Sequence, residues 1–139
     1  GCQMKLTANV DGTYRLYAKP VSSNQQIGFT ATASTDVTGV LRKGAPLLLS
    51  LPRVGQNGWL SFDGTGGEKL AMHFTDPVTQ PSGGNVYCVI YKPDGSALTG
   101  ANVTANQVLQ LPALPSGGTY RMMVNPDYGR PLSMSIELK

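Results

Sequence analysis

Few residues of this chain combine in a pattern that supports catalysis. His73 is the only histidine, which restricts acid–base chemistry, and no acidic residue lies beside it in the sequence. Cys88 would act as a nucleophile only with a histidine within hydrogen-bonding reach, and it lies in an apolar stretch typical of a buried thiol. The eight carboxylates are scattered, and no phosphate-binding loop, zinc-type spacing or nucleophile elbow occurs. We therefore predict no catalytic residue, no metal site and no cofactor.

Trp59, the only tryptophan, is the best candidate for contact with a ligand. It alternates with Leu60 and Phe62, so it is predicted to point away from the core. Such a ring can stack on a sugar, pack against a neighbouring repeat or be covered by its own domain, and the sequence leaves all three roles open. His73 is predicted beside Trp59 on the next strand, and these two residues form the candidate ligand-binding site.

Cys2 and Cys88 can form a disulfide only if the fold brings them together, which spacing alone does not establish. Because Cys2 falls in the first of the two repeats described below, such a bridge would join separate repeats or separate chains. A disulfide between Cys2 and Cys88 is therefore one expectation. Gly1-Cys2 also resembles the end of a lipoprotein signal, although a cut at a domain boundary is the simpler explanation.

The composition favours an extracellular β protein over a cytosolic enzyme. Charged residues make up 14% of the chain, against about 25% in an average soluble domain. The 17 glycines and 10 prolines separate many short segments, which is typical of a β-sandwich or barrel. Basic residues are dispersed, so no nucleic-acid partner is expected. The longest apolar run, residues 45–52, is too short to span a bilayer.

An internal repeat is the most informative feature of the sequence. Gly12-Thr-Tyr-Arg15 recurs as Gly118-Thr-Tyr-Arg121, 106 positions later. Residues 27–33 align with residues 132–138 at an offset of 105. Both copies have the pattern of a strand, a turn and a second strand.

The repeat predicts how the chain is divided. Residues 1–35 are the C-terminal part of a preceding repeat, and residues 36–139 are a complete repeat with the size of one β-sandwich domain. The expected partners are neighbouring repeats or copies of the same chain. Because strands within residues 1–34 would have unpaired edges, we expect them to pack on the complete domain or to complement another chain.

Alternation within the complete repeat predicts a hairpin. The stretches 57–63 and 68–74 each place apolar residues on one face, and the glycine-rich residues 64–67 have the composition of a turn. The residues predicted to be buried are Leu60, Phe62, Leu70, Met72 and Phe74.

The motifs of the complete repeat resemble those of a bacterial family. In order along the chain they are Phe62-Asp-Gly-Thr-Gly-Gly67, Val89-Ile-Tyr-Lys-Pro-Asp-Gly95, Leu111-Pro-Ala-Leu-Pro115 and Gly118-Thr-Tyr120. This order resembles bacterial pre-peptidase C-terminal (PPC) domains and related tandem repeats of large secreted and surface proteins of the YD/Rhs type.

The resemblance implies an all-β, jelly-roll-like antiparallel β-sandwich, here with the N-terminal strand segment of the truncated repeat added. It also implies an accessory role in secretion, spacing or adhesion, outside the cell or on the bacterial surface. Some relatives bind calcium near the domain start, but Asp36 stands almost alone, so no calcium site is carried over.

The predicted function is a non-catalytic structural repeat that assembles through strands of residues 1–34. The alternative is an accessory module that binds a glycan or a surface protein through an exposed aromatic surface.

Overall fold

Nine strands occur in the part of the chain that the computed structural model describes, which is residue 4, residues 6–8 and residues 10–139. They are β1 (Val37–Val40), β2 (Leu47–Leu51), β3 (Gly58–Gly64), β4 (Ala71–Thr79), β5 (Val86–Tyr91), β6 (Ala97–Val103), β7 (Gln107–Gln110), β8 (Gly118–Pro126) and β9 (Leu132–Leu138). A short 3-10 helix, Asp127–Gly129, follows β8. In this part of the chain, no helix has the length and apolar character needed to cross a membrane.

The strands form two sheets that pack face to face. A five-stranded sheet has the order β1-β3-β8-β5-β6, and a four-stranded sheet has the order β2-β9-β4-β7. Neighbouring strands are antiparallel except for β1 and β3, which run parallel. The predicted all-β sandwich is confirmed.

The inner faces of the two sheets share one apolar core. The five-stranded sheet contributes Leu60, Phe62, Val86, Cys88, Ile90, Tyr120, Met122 and Val124, and the four-stranded sheet contributes Leu49, Leu51, Met72, Phe74, Leu132, Met134, Ile136 and Leu138. Every second residue of β8 and β9 is buried, as expected for strands covered on one face. All five residues that alternation predicted to be buried within residues 57–74 are buried.

The predicted hairpin between residues 57–63 and 68–74 is wrong. β3 lies in the five-stranded sheet and β4 in the four-stranded sheet, so the connection between them crosses from one sheet to the other. The apolar faces of the two strands meet across the core. Alternation determines which face of a strand is buried, but a hairpin and a crossing connection bury the same residues, so it cannot choose between them.

Tyr120 closes the core near the start of β8. Its ring is completely buried and stacks on Phe62, with 5.4 Å between the ring centroids and 15° between the planes. Its hydroxyl donates a hydrogen bond of 2.7 Å to the carbonyl oxygen of Ser116, four residues upstream. This arrangement matches the tyrosine corner of Greek-key β-sandwiches, in which the hydroxyl holds the connection that enters a strand.

Residues 10–36 form no strand beside the complete domain, although a strand segment was predicted before residue 36. Apolar side chains of this segment are exposed, including Tyr17 at 85% and Phe29 at 61%. A pair of strands by itself is at best marginally stable in water. The inner positions of both sheets are occupied by strands of the complete domain. Residues 10–33 therefore extend neither sheet, whereas residues 34–36 are hydrogen-bonded to the complete domain. Its origin in a preceding repeat stays a prediction.

Replacing Tyr120 by Phe should lower the free energy of unfolding by about 1 kcal/mol, because the hydrogen bond of the corner is lost. The matched control is Tyr14→Phe, since Tyr14 donates an equivalent bond of 2.6 Å to the carbonyl oxygen of Val10 from an exposed position. The control should leave stability unchanged. Urea denaturation measures both variants, and equal losses would contradict a stabilising role specific to Tyr120.

Candidate functional site

The two residues predicted to form a binding site lie on opposite outer faces of the sandwich. Trp59 projects from β3 on the five-stranded sheet, and His73 projects from β4 on the four-stranded sheet. Both side chains are half-buried. The expectation that they are neighbours is wrong, because it depended on pairing between β3 and β4.

Residues of the same domain hold the Trp59 ring. The indole Nε1–H donates a hydrogen bond of 3.0 Å to Asp36 Oδ2. The guanidinium carbon of Arg121 lies 4.7 Å from the ring centroid, within the range of a cation–π interaction. The Tyr91 ring lies 6.0 Å away, centroid to centroid. Of the three roles that the sequence left open, these contacts favour coverage by the protein's own residues.

Asp36 belongs to a set of hydrogen bonds that ties the entry of the domain to the loop before β3. We call residues 34–37 and 53–57 the linker clamp. Asp36 Oδ1 accepts a hydrogen bond of 3.1 Å from the Asn57 N–H, and the Val37 N–H donates one of 2.8 Å to the Asn57 carbonyl. The partners in these bonds are about twenty positions apart, so no local sequence motif marks them.

Gln56 is the buried centre of the linker clamp, with only 6% of its surface exposed. Its Oε1 accepts a bond of 2.9 Å from the Arg53 N–H, and its Nε2 donates one of 2.9 Å to the Thr35 carbonyl. The Ser34 hydroxyl donates to the Val54 carbonyl at 2.6 Å. Because the buried amide is satisfied on both sides, it can hold two backbone segments together without a desolvation penalty.

Four buried side-chain oxygens near the linker clamp have no hydrogen-bond partner among the described residues. They are the Oδ1 atoms of Asn57, Asn85, Asn125 and Asp127. Asn57 directly precedes Gly58, which pairs with Val124, the residue before Asn125. The Asp127 N–H donates a hydrogen bond of 2.9 Å to the Asn85 carbonyl. Asp127 Oδ1 lies 3.6 Å from Arg130 Nε, which is an ion pair but too long for a hydrogen bond.

These oxygens lie at one end of the five-stranded sheet. A buried oxygen without a donor costs about 1–3 kcal/mol, so such atoms are uncommon. Within the described residues, no group of three or more His, Cys, Asp or Glu side chains is placed to hold a metal ion.

His73 has an acidic neighbour that sequence reasoning missed. Glu137 of β9 lies directly opposite it in the strand register, and Val108 of β7 lies on its other side. Glu137 is itself paired with Lys139, with 3.1 Å between Oε2 and Nζ. The signal was absent from the local sequence because Glu137 reaches His73 only through the pairing of β4 with β9.

Cys88 faces the core from β5 in the other sheet, so the structure does not bring it to His73. It is a free thiol with 1% of its surface exposed. Burial raises its pKa to about 12, because apolar surroundings disfavour the thiolate. Cys2, the partner in the expected disulfide, lies outside the described residues.

No family model and no characterised protein sequence matches the chain. Several solved structures resemble it, among them the following three. PliG of Aeromonas hydrophila, a periplasmic inhibitor of g-type lysozyme, is 14% identical, with a TM-score of 0.53 over 76% of this chain and 98% of that one. CorA, a surface-associated copper-binding protein of Methylomicrobium album BG8, is 7% identical, with a TM-score of 0.57 over 76% and 99%. The PPC domain of a Bacillus anthracis collagenase is 14% identical, with a TM-score of 0.48 over 75% and 94%.

At these identities the likeness to PliG and CorA shows a shared β-sandwich fold. The β-sandwich expected from the PPC resemblance is therefore confirmed, while membership of the PPC family is not shown. Nothing in the comparisons supports the YD/Rhs context.

The stability of the folded chain should fall with rising pH above about 9 relative to a Cys88→Ala variant. The ordinary thiol pKa is 9.0 and the folded-state pKa is about 12, so between these values the unfolded state ionises first. The thiol's contribution is complete below pH 9 and is lost as the pH rises towards 12. Urea denaturation on either side of pH 9, in a Cys2→Ser background, measures the difference. Parallel pH profiles for the two proteins would show that the thiol is not desolvated.

Asp36→Ala should release the Trp59 indole and lower the free energy of unfolding by about 1–2 kcal/mol, because two hydrogen bonds to a carboxylate are lost. Acrylamide quenching of the single tryptophan reports its accessibility. The matched control is Asp63→Ala, since Asp63 accepts a bond of 2.7 Å from the Thr119 hydroxyl at an exposed site. Quenching that rises equally in both variants would contradict the role assigned to Asp36.

Proposed function

We propose that this domain is a non-catalytic structural repeat of an exported bacterial protein, and that the linker clamp holds the domain in a defined orientation to the chain before it. The observation that carries this proposal is the set of hydrogen bonds between residues 34–37 and the loop 53–57.

A connector of this kind works by restricting the freedom of the chain at the junction. Domains joined by an untied linker move relative to each other, and glycine- or serine-rich linkers behave as flexible coils. Here, successive residues from Ser34 to Val37 are bonded to one loop, and Asp36 is further tied to the half-buried Trp59. The chain therefore enters the domain at a fixed point and in a fixed direction.

Two observations support a role outside the cytoplasm. PliG is described as periplasmic and CorA as surface-associated, and both share this fold. The low charged fraction fits an extracellular β protein. The PPC assignment and the tandem array of YD/Rhs-type proteins remain part of the proposal and are supported by the sequence motifs alone.

The alternative function is binding of a glycan or a surface protein. The outer face of the five-stranded sheet favours a protein partner, because Tyr87 exposes 48% of its surface there. Stacking of a sugar on Trp59 is less favoured, since Arg121 lies over the ring.

The orientation of the junction can be measured directly by double electron–electron resonance. Spin labels at Ala33→Cys, just upstream of the linker clamp, and at Val108→Cys, exposed on β7, should give one narrow distance distribution. Cys2→Ser removes a competing site, and the buried Cys88 should not react. Asp36→Ala should broaden the distribution, because residues 34–37 are then released from the loop.

Gln110→Ala is the matched control, since Gln110 is exposed on β7 and lies outside the linker clamp. It should leave the distribution narrow. The proposal of a fixed junction would be overturned if the distance distribution with an intact linker clamp were as broad as that of Asp36→Ala.

A further inference from the structure

We propose that residues 10–33 are the last two strands of a second β-sandwich, whose remaining strands are a preceding copy of the same repeat. This inference deepens the proposed structural role, on which it rests, by naming the partner of the N-terminal segment.

The repeated tetrapeptide makes the same hydrogen bond in both places. The Tyr120 hydroxyl donates to the carbonyl of Ser116, and the Tyr14 hydroxyl donates to the carbonyl of Val10, each four residues upstream, at 2.7 and 2.6 Å. The acceptor residues, Val10 and Ser116, differ in type. The two tyrosines therefore share this hydrogen bond although the repeated tetrapeptide does not include the acceptor. A tyrosine corner marks the entry into a core strand of a β-sandwich.

The positions that face the core in β8 and β9 are apolar in the first copy as well. The core residues of β8 and β9 are Tyr120, Met122, Val124, Leu132, Met134, Ile136 and Leu138. Their equivalents are Tyr14, Leu16, Ala18, Ile27, Phe29, Ala31 and Ala33. An apolar residue at every one of these positions is the pattern of two strands covered on one face.

The positions that face away from the core are mostly polar or small in the first copy. On the first strand they are Thr13, Arg15, Tyr17 and Lys19, and on the second they are Gly28, Thr30 and Thr32. Thr13 and Arg15 are identical to their equivalents Thr119 and Arg121. The segment thus carries the inward and outward faces of β8 and β9 in the correct register.

The inward side chains of the segment lack the cover that their equivalents have. Leu16 is 60% exposed and Phe29 is 61% exposed. Tyr14 is 47% exposed, whereas Tyr120 is completely buried on Phe62. Apolar side chains grouped in this way mark a surface that another element covers.

In this domain the positions that suit the segment are occupied, because β8 pairs with β3 and β5, and β9 pairs with β2 and β4. A partner that accepts the segment at the equivalent positions carries strands equivalent to β1–β7 and lacks β8 and β9 of its own. A preceding copy of the repeat, ending where residue 10 begins, meets this requirement.

The residues of the segment also indicate how that partner differs from this domain. Ala18, Ala31 and Ala33 are smaller than the Val124, Ile136 and Leu138 that they replace. To fill the space, the facing strands of the preceding copy should carry larger side chains, because cavities in a core are destabilising.

The test joins residues 36–115 directly to residues 10–139, so that Val10 follows Pro115 as Ser116 does in this repeat. The first unit then consists of β1–β7 of this repeat with residues 10–33 as its last two strands. Amide hydrogen exchange should become at least roughly 100-fold slower in residues 13–18 and 27–33 than in the 139-residue chain, since strand amides open only by local or global unfolding.

The control is the same joined chain carrying Leu16→Asp and Phe29→Asp, which should abolish this protection while residues 36–139 of the second unit stay protected. A second variant carries Ala18→Val, Ala31→Ile and Ala33→Leu and fills the cavities that the borrowed strands would leave. Protection of residues 13–18 and 27–33 from exchange, in the joined chain or in this second variant, supports the proposal.

Fast exchange of residues 13–33 in both of those chains overturns it, as does protection that survives the two aspartates. The distance measurement across the linker clamp uses the 139-residue chain alone. If the exchange experiment excludes a preceding copy as the partner, the proposal of a fixed junction is unaffected. If the distance measurement shows a mobile junction, the partner is still tested by hydrogen exchange.

Discussion

The pairing of β8 and β9 with their neighbours is the constraint on which the domain depends. β8 is the central strand of the five-stranded sheet, and β9 lies between β2 and β4 in the other sheet. Without β8, the larger sheet would separate into two pairs of strands, β1 with β3 and β5 with β6. Each pair would have an uncovered apolar face. The Tyr120 corner and its stacking on Phe62 hold the entry into β8. Burial of the two inner faces against each other supplies the main stabilising free energy, and these C-terminal strands make it possible.

The same constraint explains the N-terminal segment. A β8–β9 pair without its neighbours has an apolar face and nothing to cover it, so residues 10–33 form no strand beside a domain whose sheets are already filled. The linker clamp follows directly after this segment and ties it to the domain through Gln56 and Asp36. In a tandem array, the unit that covers residues 10–33 would therefore be held close to the end of the sandwich that contains Asn57.

Much of the core was predictable from alternation, and much of the candidate site was not. Leu60, Phe62 and Met72 are buried as predicted, because a period of two is visible within one strand. The pairing of β3 with β4 was predicted wrongly, since sequence neighbours usually pair and a crossing connection leaves the same pattern. That error placed His73 beside Trp59. The true neighbour of His73 is Glu137, and that of Trp59 is Asp36. Both neighbours are distant in sequence and are brought close only by the fold.

By itself, the sequence determined the all-β class, the buried faces of β3 and β4 and the repeat of Gly-Thr-Tyr-Arg, because each of these is a local pattern of residue types. The tertiary structure decided which strands are neighbours, which residues hold Trp59 and whether the first copy of the repeat forms strands. These depend on pairing between distant segments, and a strand pattern can become a strand only where another strand offers its hydrogen bonds and another face covers its apolar side chains. For residues 118–138 the domain offers both, and for the equivalent residues 12–33 it offers neither.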